Sequence, residues 1–200
     1  MAILTQSPNL TAQQSQRVFG RRELLSDRAD CLWKIDRGVV RTFTWDDEGS
    51  VIVLGHWGTG DIVGHALSKI HPYRIECLSS VEATLLPSYL WYRVMDSAIS
   101  HIQQTEELLN IVRSRPMDFR LLQALRWFAN KFGRPVETGT LIDVRLTHQE
   151  IAEAIGTTRV TVTRLLQQFE QDELIGRYSG RFIVVFPRAF EKEVVRSQKN

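Results

Sequence analysis

Cysteine is scarce. Cys31 and Cys77 are the only two in 200 residues, and they are far apart with no CxxC pair. That excludes a disulfide framework and fits a reducing compartment. Long apolar runs are missing as well. Nowhere do about eighteen apolar residues follow one another, so nothing reads as a membrane span. The first residues, "MAILTQSPNLTAQQSQRVFG", are polar and lack a signal-type apolar core. A cytoplasmic protein is expected. Net charge is small, with 25 Lys and Arg against 23 Asp and Glu, or +2. The overall field therefore does not announce a nucleic-acid binder, and any basic surface must be local. No phosphate loop, catalytic triad or paired carboxylates can be found. The chain reads as a non-enzyme with no catalytic residues, no metal ligands and no cofactor.

What is present suits a globular protein. Hydrophobic residues make up 43% and charged residues 24%, enough apolar mass for a core in one domain or two small ones. Residues 1 to about 20 are rich in Gln and Ser and read as a tail or short helix. From Glu23 to Pro87 the texture is strand-like. "CLWKI", "GVVRTFTW" and "SVIVLGHW" are β-rich runs, divided by "DRG", "DDEGS" and "GTGD" turn chemistry. A further run, "YRIECLSSVEATLLP", ends at Pro87. Such spacing predicts an antiparallel barrel or sandwich.

Glycine then disappears from Ser88 to Phe132, and Pro116 is the one proline there. Ile99, Ile102, Leu109 and Val112 recur at near-helical spacing, with Leu108 and Ile111 widening the stripe. Pro116 should split this region into two helices. The second, "MDFRLLQALRWFANKFG", is expected to stop at Gly133 as a C′ glycine. "TLIDVRL" reads as a strand, and "LIGRYSGRFIVVF" as a hairpin turning at Ser179-Gly180.

The stretch between these strands, "LTHQEIAEAIGTTRVTVTRLL", carries the chemistry. Thr147 with Glu150 three residues on makes a capping box. Ile151, Ala152 and Ile155 form an inner face. Gly156 supplies a sharp turn, and Thr158 caps a second helix whose Val162, Leu165 and Leu166 point inward. Ala152, Gly156 and Val162 fall where a helix-turn-helix needs a small residue, a turn and a packed β-branch. The strand before and the hairpin after make it a winged helix-turn-helix. The outer face of the second helix carries Arg159, Val160, Thr163 and Arg164. An arginine fork matches guanine N7 and O6 in the major groove, and a valine methyl suits a thymine methyl. Thr147, His148, Gln149, Thr158 and Thr161, with Arg177 and Arg181 on the wing, are candidates for phosphate contacts, which set register rather than sequence.

These residues resemble the DNA-binding domain of the CRP/FNR family of bacterial transcription regulators, in particular its cyanobacterial nitrogen-control branch. "WKIDRGVVRTF" is similar to the family's barrel strand pair and "GDIVG" to its G-[DE]-x-x-G turn. The resemblance implies an α+β fold: a β-roll sensor-like domain over 1–87, a dimerisation helix and linker over 88–115, and a winged helix-turn-helix over 116–200. It implies a homodimer on a palindromic promoter site in double-stranded DNA, with RNA polymerase as a further partner and no membrane association. Arg159, Val160 and Arg164 would read bases. Valine stands where the catabolite-activator branch has glutamate, which implies a GTA…TAC type of half-site.

Other positions depart from the family. The Arg-Ser pair that holds a cyclic phosphate is missing from "GDIVGHALSKIHPYRIECLSS", so cyclic AMP is not expected. His71 stands where the nitrogen-control branch has an arginine for 2-oxoglutarate. The family's cysteine cluster for an iron–sulfur centre is absent, and the chain is about a helix shorter between Pro87 and Pro116. Gly60, Asp61, Ile62, Val63, Gly64 and His65, with the Ile99–Val112 helix, are expected to face any effector cavity. Two rival readings remain open: a metal cupin using His56, His65 and His71, and a regulator that responds to no ligand. Cys31 and Cys77 read as core residues or as sites of oxidation.

Overall fold

The computed structural model describes residues 16–26, 28–179 and 182–191. Among the described residues, eight strands form the N-terminal half: β1 (Gln16–Phe19), β2 (Leu24–Leu25), β3 (Cys31–Arg37), β4 (Val40–Trp45), β5 (Val51–Trp57), β6 (Ile62–Val63), β7 (Arg74–Cys77) and β8 (Val81–Pro87). They make two antiparallel sheets, ordered β1-β8-β3-β6 and β2-β7-β4-β5. The inner faces pack Trp33, Ile35, Val40, Trp57, Ile75 and Val81. This is a two-sheet β-roll. The turns fall where Gly38, Gly49 and Gly60 take positive φ, at 91°, 82° and 90°, a conformation that costs glycine little.

A 3₁₀ segment over Ser88–Val94 leads into α1 (Met95–Arg113), and α2 (Met117–Phe132) follows. Pro116 separates the two helices as expected, since its ring cannot continue a helix. The third sheet, ordered β11-β12-β10-β9, holds β9 (Gly133–Val136), β10 (Gly139–Ile142), β11 (Ile175–Tyr178) and β12 (Phe182–Val185). Between β10 and β11 lie α3 (His148–Ile155) and α4 (Arg159–Gln171), and α5 (Pro187–Glu191) closes the described chain.

The structure corrects or completes the sequence reading at four places. Gln16–Phe19 is a strand rather than tail or helix, because β8 supplies its ladder partners. The run ending at Pro87 is two strands, β7 and β8. Gly133 does end α2, but in extended backbone (φ −92°, ψ 160°), so it opens a strand instead of forming a left-handed cap. It needs to be glycine for space, since a Cβ there would lie 2.0 Å from the Ala129 carbonyl oxygen. Finally, β9 pairs with β10 in a hairpin, and it holds Pro135 because it is the edge strand of its sheet.

Candidate nucleic-acid interface

The α3–α4 unit is fixed by local chemistry. Thr147 accepts the backbone N–H of Glu150 at 3.1 Å, and the Glu150 carboxylate accepts the backbone N–H of Thr147 at 2.6 Å, a complete capping box. Gly156 ends α3 at φ 67° and ψ 54°, the left-handed region. Thr158 then caps α4 by accepting the Thr161 N–H at 3.2 Å. Ile151, Ala152, Ile155, Val162 and Leu166 are each 0% exposed, so the two helices cross on small and branched residues. Both caps leave further N–H groups of a helix N-terminus facing outward, which suits anionic oxygens.

Packing one face of α4 into this core presents the other. Val160 is 78% exposed, and Arg159 and Arg164 are exposed beside it, their guanidinium groups with no hydrogen-bond or ion-pair partner among the described residues. Together with Thr163 and Gln167 they line a shallow hollow of about 430 Å³. Gln167 was missed by sequence reasoning. Its spacing was the available signal, because it lies one turn beyond Thr163 and Arg164.

Thr163 is more engaged than a free base reader. Its hydroxyl donates to the Arg159 carbonyl at 2.9 Å and lies 2.8 Å from His148 Nδ1. His148 Nε2 in turn sits 3.4 Å from Arg177 Nη2. Those partners fit the tautomer protonated at Nδ1, with Nε2 accepting from Arg177. Burial, then the charges of Arg177 and Arg159, lower the His148 pKa, which keeps the ring neutral. Arg177 also pairs with Glu170 at 2.5 Å, so part of its charge is already answered within the domain. Gln149 is exposed and donates to Glu153 at 2.8 Å. The wing position Arg181 lies outside the described residues.

The reading unit also touches the β-roll. Arg21 donates to the Arg145 carbonyl at 3.1 Å and to Glu150 at 3.0 Å. Arg41 bridges Glu76 and Glu153, each at 2.6 Å. Lys131 of α2 pairs with Asp61 at 2.9 Å and donates to the His56 carbonyl at 2.7 Å. Val39 and Leu78 of the roll pack in the same core as α2, α3 and α4.

A cavity of about 420 Å³ lies between the β4–β5 strands, the 67–73 loop and α1. Thr42, Leu54, Trp57, Tyr73, His101 and Thr105 are among its lining. His101, Ile102, Thr105 and Glu106 of α1 form one of its walls. The Gly60–His65 turn sits elsewhere: Ile62 and Val63 are fully buried, and Asp61 faces a separate 950 Å³ cleft against α2. Gly64 is extended (φ 159°, ψ 158°) and packed against Leu32.

The three histidines of the cupin reading do not converge. His65 and His71 lie with their Nε2 atoms 3.1 Å apart, while His56 packs on Phe128 of α2. Cys31 and Cys77 are buried and unpaired. Burial pushes the Cys77 thiol up to about 12 and raises that of Cys31, the opposite of what a redox-reactive thiolate needs.

Comparison with known proteins agrees with this architecture. A Crp-like helix-turn-helix domain matches residues 119–192. The regulatory protein CysR of Synechococcus elongatus is 40% identical over 188 residues, covering 92% of this chain and 91% of the relative. The global nitrogen regulator of the same organism is 43% identical over 94 residues, 47% of this chain and 42% of that protein. A CRP-family transcriptional regulator from Thermus thermophilus superposes with a TM-score of 0.77 over 90% of this chain and 96% of its own, at 23% identity, which shows the shared fold. With the capped reading helix on an antiparallel β-roll and a long connecting helix, the chain belongs to the CRP/FNR family of transcription regulators.

Proposed function

We propose that this regulator reads a palindromic promoter site as a homodimer, with α4 in the major groove. The observation that carries the reading is the α4 outer face, where two unpartnered arginines flank an exposed valine. Arg159 and Arg164 pair with guanines, and Val160 packs on a thymine methyl. Gln167 lies where it can add a contact to adenine N6 and N7. Thr163 holds the Arg159 end of the helix and His148 in place, so its part is positioning. The α3 and α4 N-termini, with Thr147, Gln149, Thr158, Thr161 and the backbone N–H of His148, whose ring is already engaged, hold phosphates. Arg177 and Arg181 on the wing add backbone contacts, Arg177 the weaker for its bond to Glu170.

The exposed α1 stripe supports dimerisation, and two-fold symmetry then demands inverted half-sites about one helical turn apart. We assign 1–87 to a sensor-like domain, 88–115 to dimerisation and 116–200 to reading. The protein works in the cytoplasm with RNA polymerase. The cavity at Trp57 and His101 takes a small effector that is not cyclic AMP, because its lining offers no arginine to a phosphate.

Selection from random DNA with wild type and three variants tests the reading. Wild type should select a GTA, eight bases, TAC palindrome. Arg159→Ala should cost about 1–3 kcal/mol on that site and relax its preference. Thr161→Ala should weaken specific and random DNA alike. Val160→Glu should shift the half-site towards the catabolite-activator type. An Arg159→Ala protein that selects the wild-type motif with undiminished discrimination would falsify the assignment of α4 as the reader.

A further inference from the structure

One pair of strands separates the cavity from the reading domain. β4 and β5 run antiparallel with Arg41 opposite His56, Val40 opposite Trp57 and Thr42 opposite Gly55. Successive side chains point to opposite faces of a sheet. Thr42 and Trp57 turn into the cavity. There the indole stacks on His101 with 3.8 Å between ring centroids and donates its N–H to Thr42 Oγ1 at 3.0 Å. Arg41 and His56 turn the other way. Arg41 reaches Glu153 of α3 at 2.6 Å, and the His56 ring meets Phe128 of α2 edge-on at 4.9 Å. A single layer of backbone thus lies between Trp57 and the seam.

That seam combines opposing tendencies. The Arg41 ion pairs with Glu76 and Glu153 are short and largely buried, which holds the domains together. His56 is 1% exposed, and neither ring nitrogen has a hydrogen-bond partner. Buried polar groups are normally bonded because their lost hydration is otherwise uncompensated. An unmet imidazole at the centre of the contact favours its opening to water. A contact balanced in this way is what a two-state switch requires.

We propose that the Arg41–His56 cross-strand pair couples the cavity to the reading helices: an occupant that displaces Trp57 shifts the pair, loosens its hold on Glu153 and frees α3 and α4 to seat on DNA. This rests on the effector reading of the cavity. By linkage the bias is reciprocal, so DNA binding favours the same undocked state as filling the cavity.

The test uses the full chain. Thr105→Phe, on the α1 wall of the cavity, stands in for an occupant. Glu153→Gln cuts the ion pair, and His56→Phe fills the seam without unmet nitrogens. The readouts are affinity for the selected DNA site and amide hydrogen exchange of residues 148–155. Thr105→Phe and Glu153→Gln should each tighten specific binding by about tenfold, within the usual range of allosteric coupling, and speed exchange in α3. His56→Phe should weaken binding and cancel the effect of Thr105→Phe in the double variant. Leu54→Phe fills the cavity from the strand side and should repeat the Thr105→Phe result if that variant does not fold. Equal effects of the filling variants with and without His56→Phe would overturn the coupling, as would unchanged exchange and affinity in Glu153→Gln. A protein that binds no defined site in any form would sink the DNA reading instead, and the exchange data, which need no DNA, would still decide the coupling.

Discussion

The helices α1 and α2 adjoin each other in sequence, yet they bury their apolar residues differently. In α2, Leu121 and Leu125 are 0% exposed and Phe128 is 1% exposed, all inside the chain's own core. In α1, Leu108 and Ile111 are buried, but Ile99, Ile102 and Leu109 are 52%, 60% and 53% exposed. Those three fall on one side of the helix, away from the buried pair, since residues three, seven and ten apart return to nearly the same face. A stripe of that length facing water is the feature on which the proposed dimer rests. The difference separates what a chain completes alone from what it leaves to a partner.

Substitutions can break or sharpen that contrast. The largest effect is expected in α2. Leu125→Ala opens a cavity in a closed core and should lower unfolding free energy by about 2–5 kcal/mol in urea denaturation. In α1, Ile99→Glu with Leu109→Glu should leave the fold of the single chain within about 1 kcal/mol. It should instead give a monomer in sedimentation and reduce specific DNA affinity by about 100-fold, as expected when one half-site is lost. If the double variant sediments as a dimer, the stripe is not the interface and the contrast loses its meaning.

A smaller effect tests what lies on the far side of α2. Burial, helped by the charges of Arg41 and Lys131, pushes His56 down to about 3 from 6.5. Between those values the unfolded chain takes up a proton that the folded chain refuses. The contribution is therefore complete above pH 6.5 and declines as pH falls through it. By pH 5 the loss should reach about 2 kcal/mol, and His56→Phe should flatten that part of the stability profile. Smallest is Thr147→Ala. A helix of only eight residues has few intrahelical bonds besides its cap, and the variant should cost about 1 kcal/mol. Thermal unfolding of the two proteins side by side measures it.

Legibility in the sequence followed the range of the interactions. The α3–α4 unit could be read to the residue because its signals are local: Thr147 and Glu150 are three apart, and Gly156 and Thr158 mark the turn themselves. Arg159, Val160 and Arg164 could be placed on the outer face once that register was known. The β-roll was legible as strands and turns, but its pairing was not, since β1 exists through a ladder to β8. The seam was invisible for the same reason. Arg21 meets Glu150 across 129 positions and Arg41 meets Glu153 across 112, and no pattern in either segment names its partner. The same holds for His56, grouped with His65 and His71 by composition and placed apart from them by the alternation of β5. Thr163 and Arg177 belong to the predicted reading side, but the bond of Thr163 to His148 depends on how α3 crosses α4, and that of Arg177 to Glu170 on how the wing folds back.

Glu150 has two occupations. Its carboxylate closes the box at the start of α3, and it also receives Arg21 from the β-roll. The first helix of the helix-turn-helix is therefore finished by a residue at the opposite end of the chain. For engineering, the reading half is not a cartridge to be lifted onto any barrel. A chimera in which the foreign barrel lacks an arginine at the Arg21 position would carry an intact recognition helix on a mount whose leading carboxylate has lost its cation. Grafts of this kind should be cut so that Arg21 travels with α3.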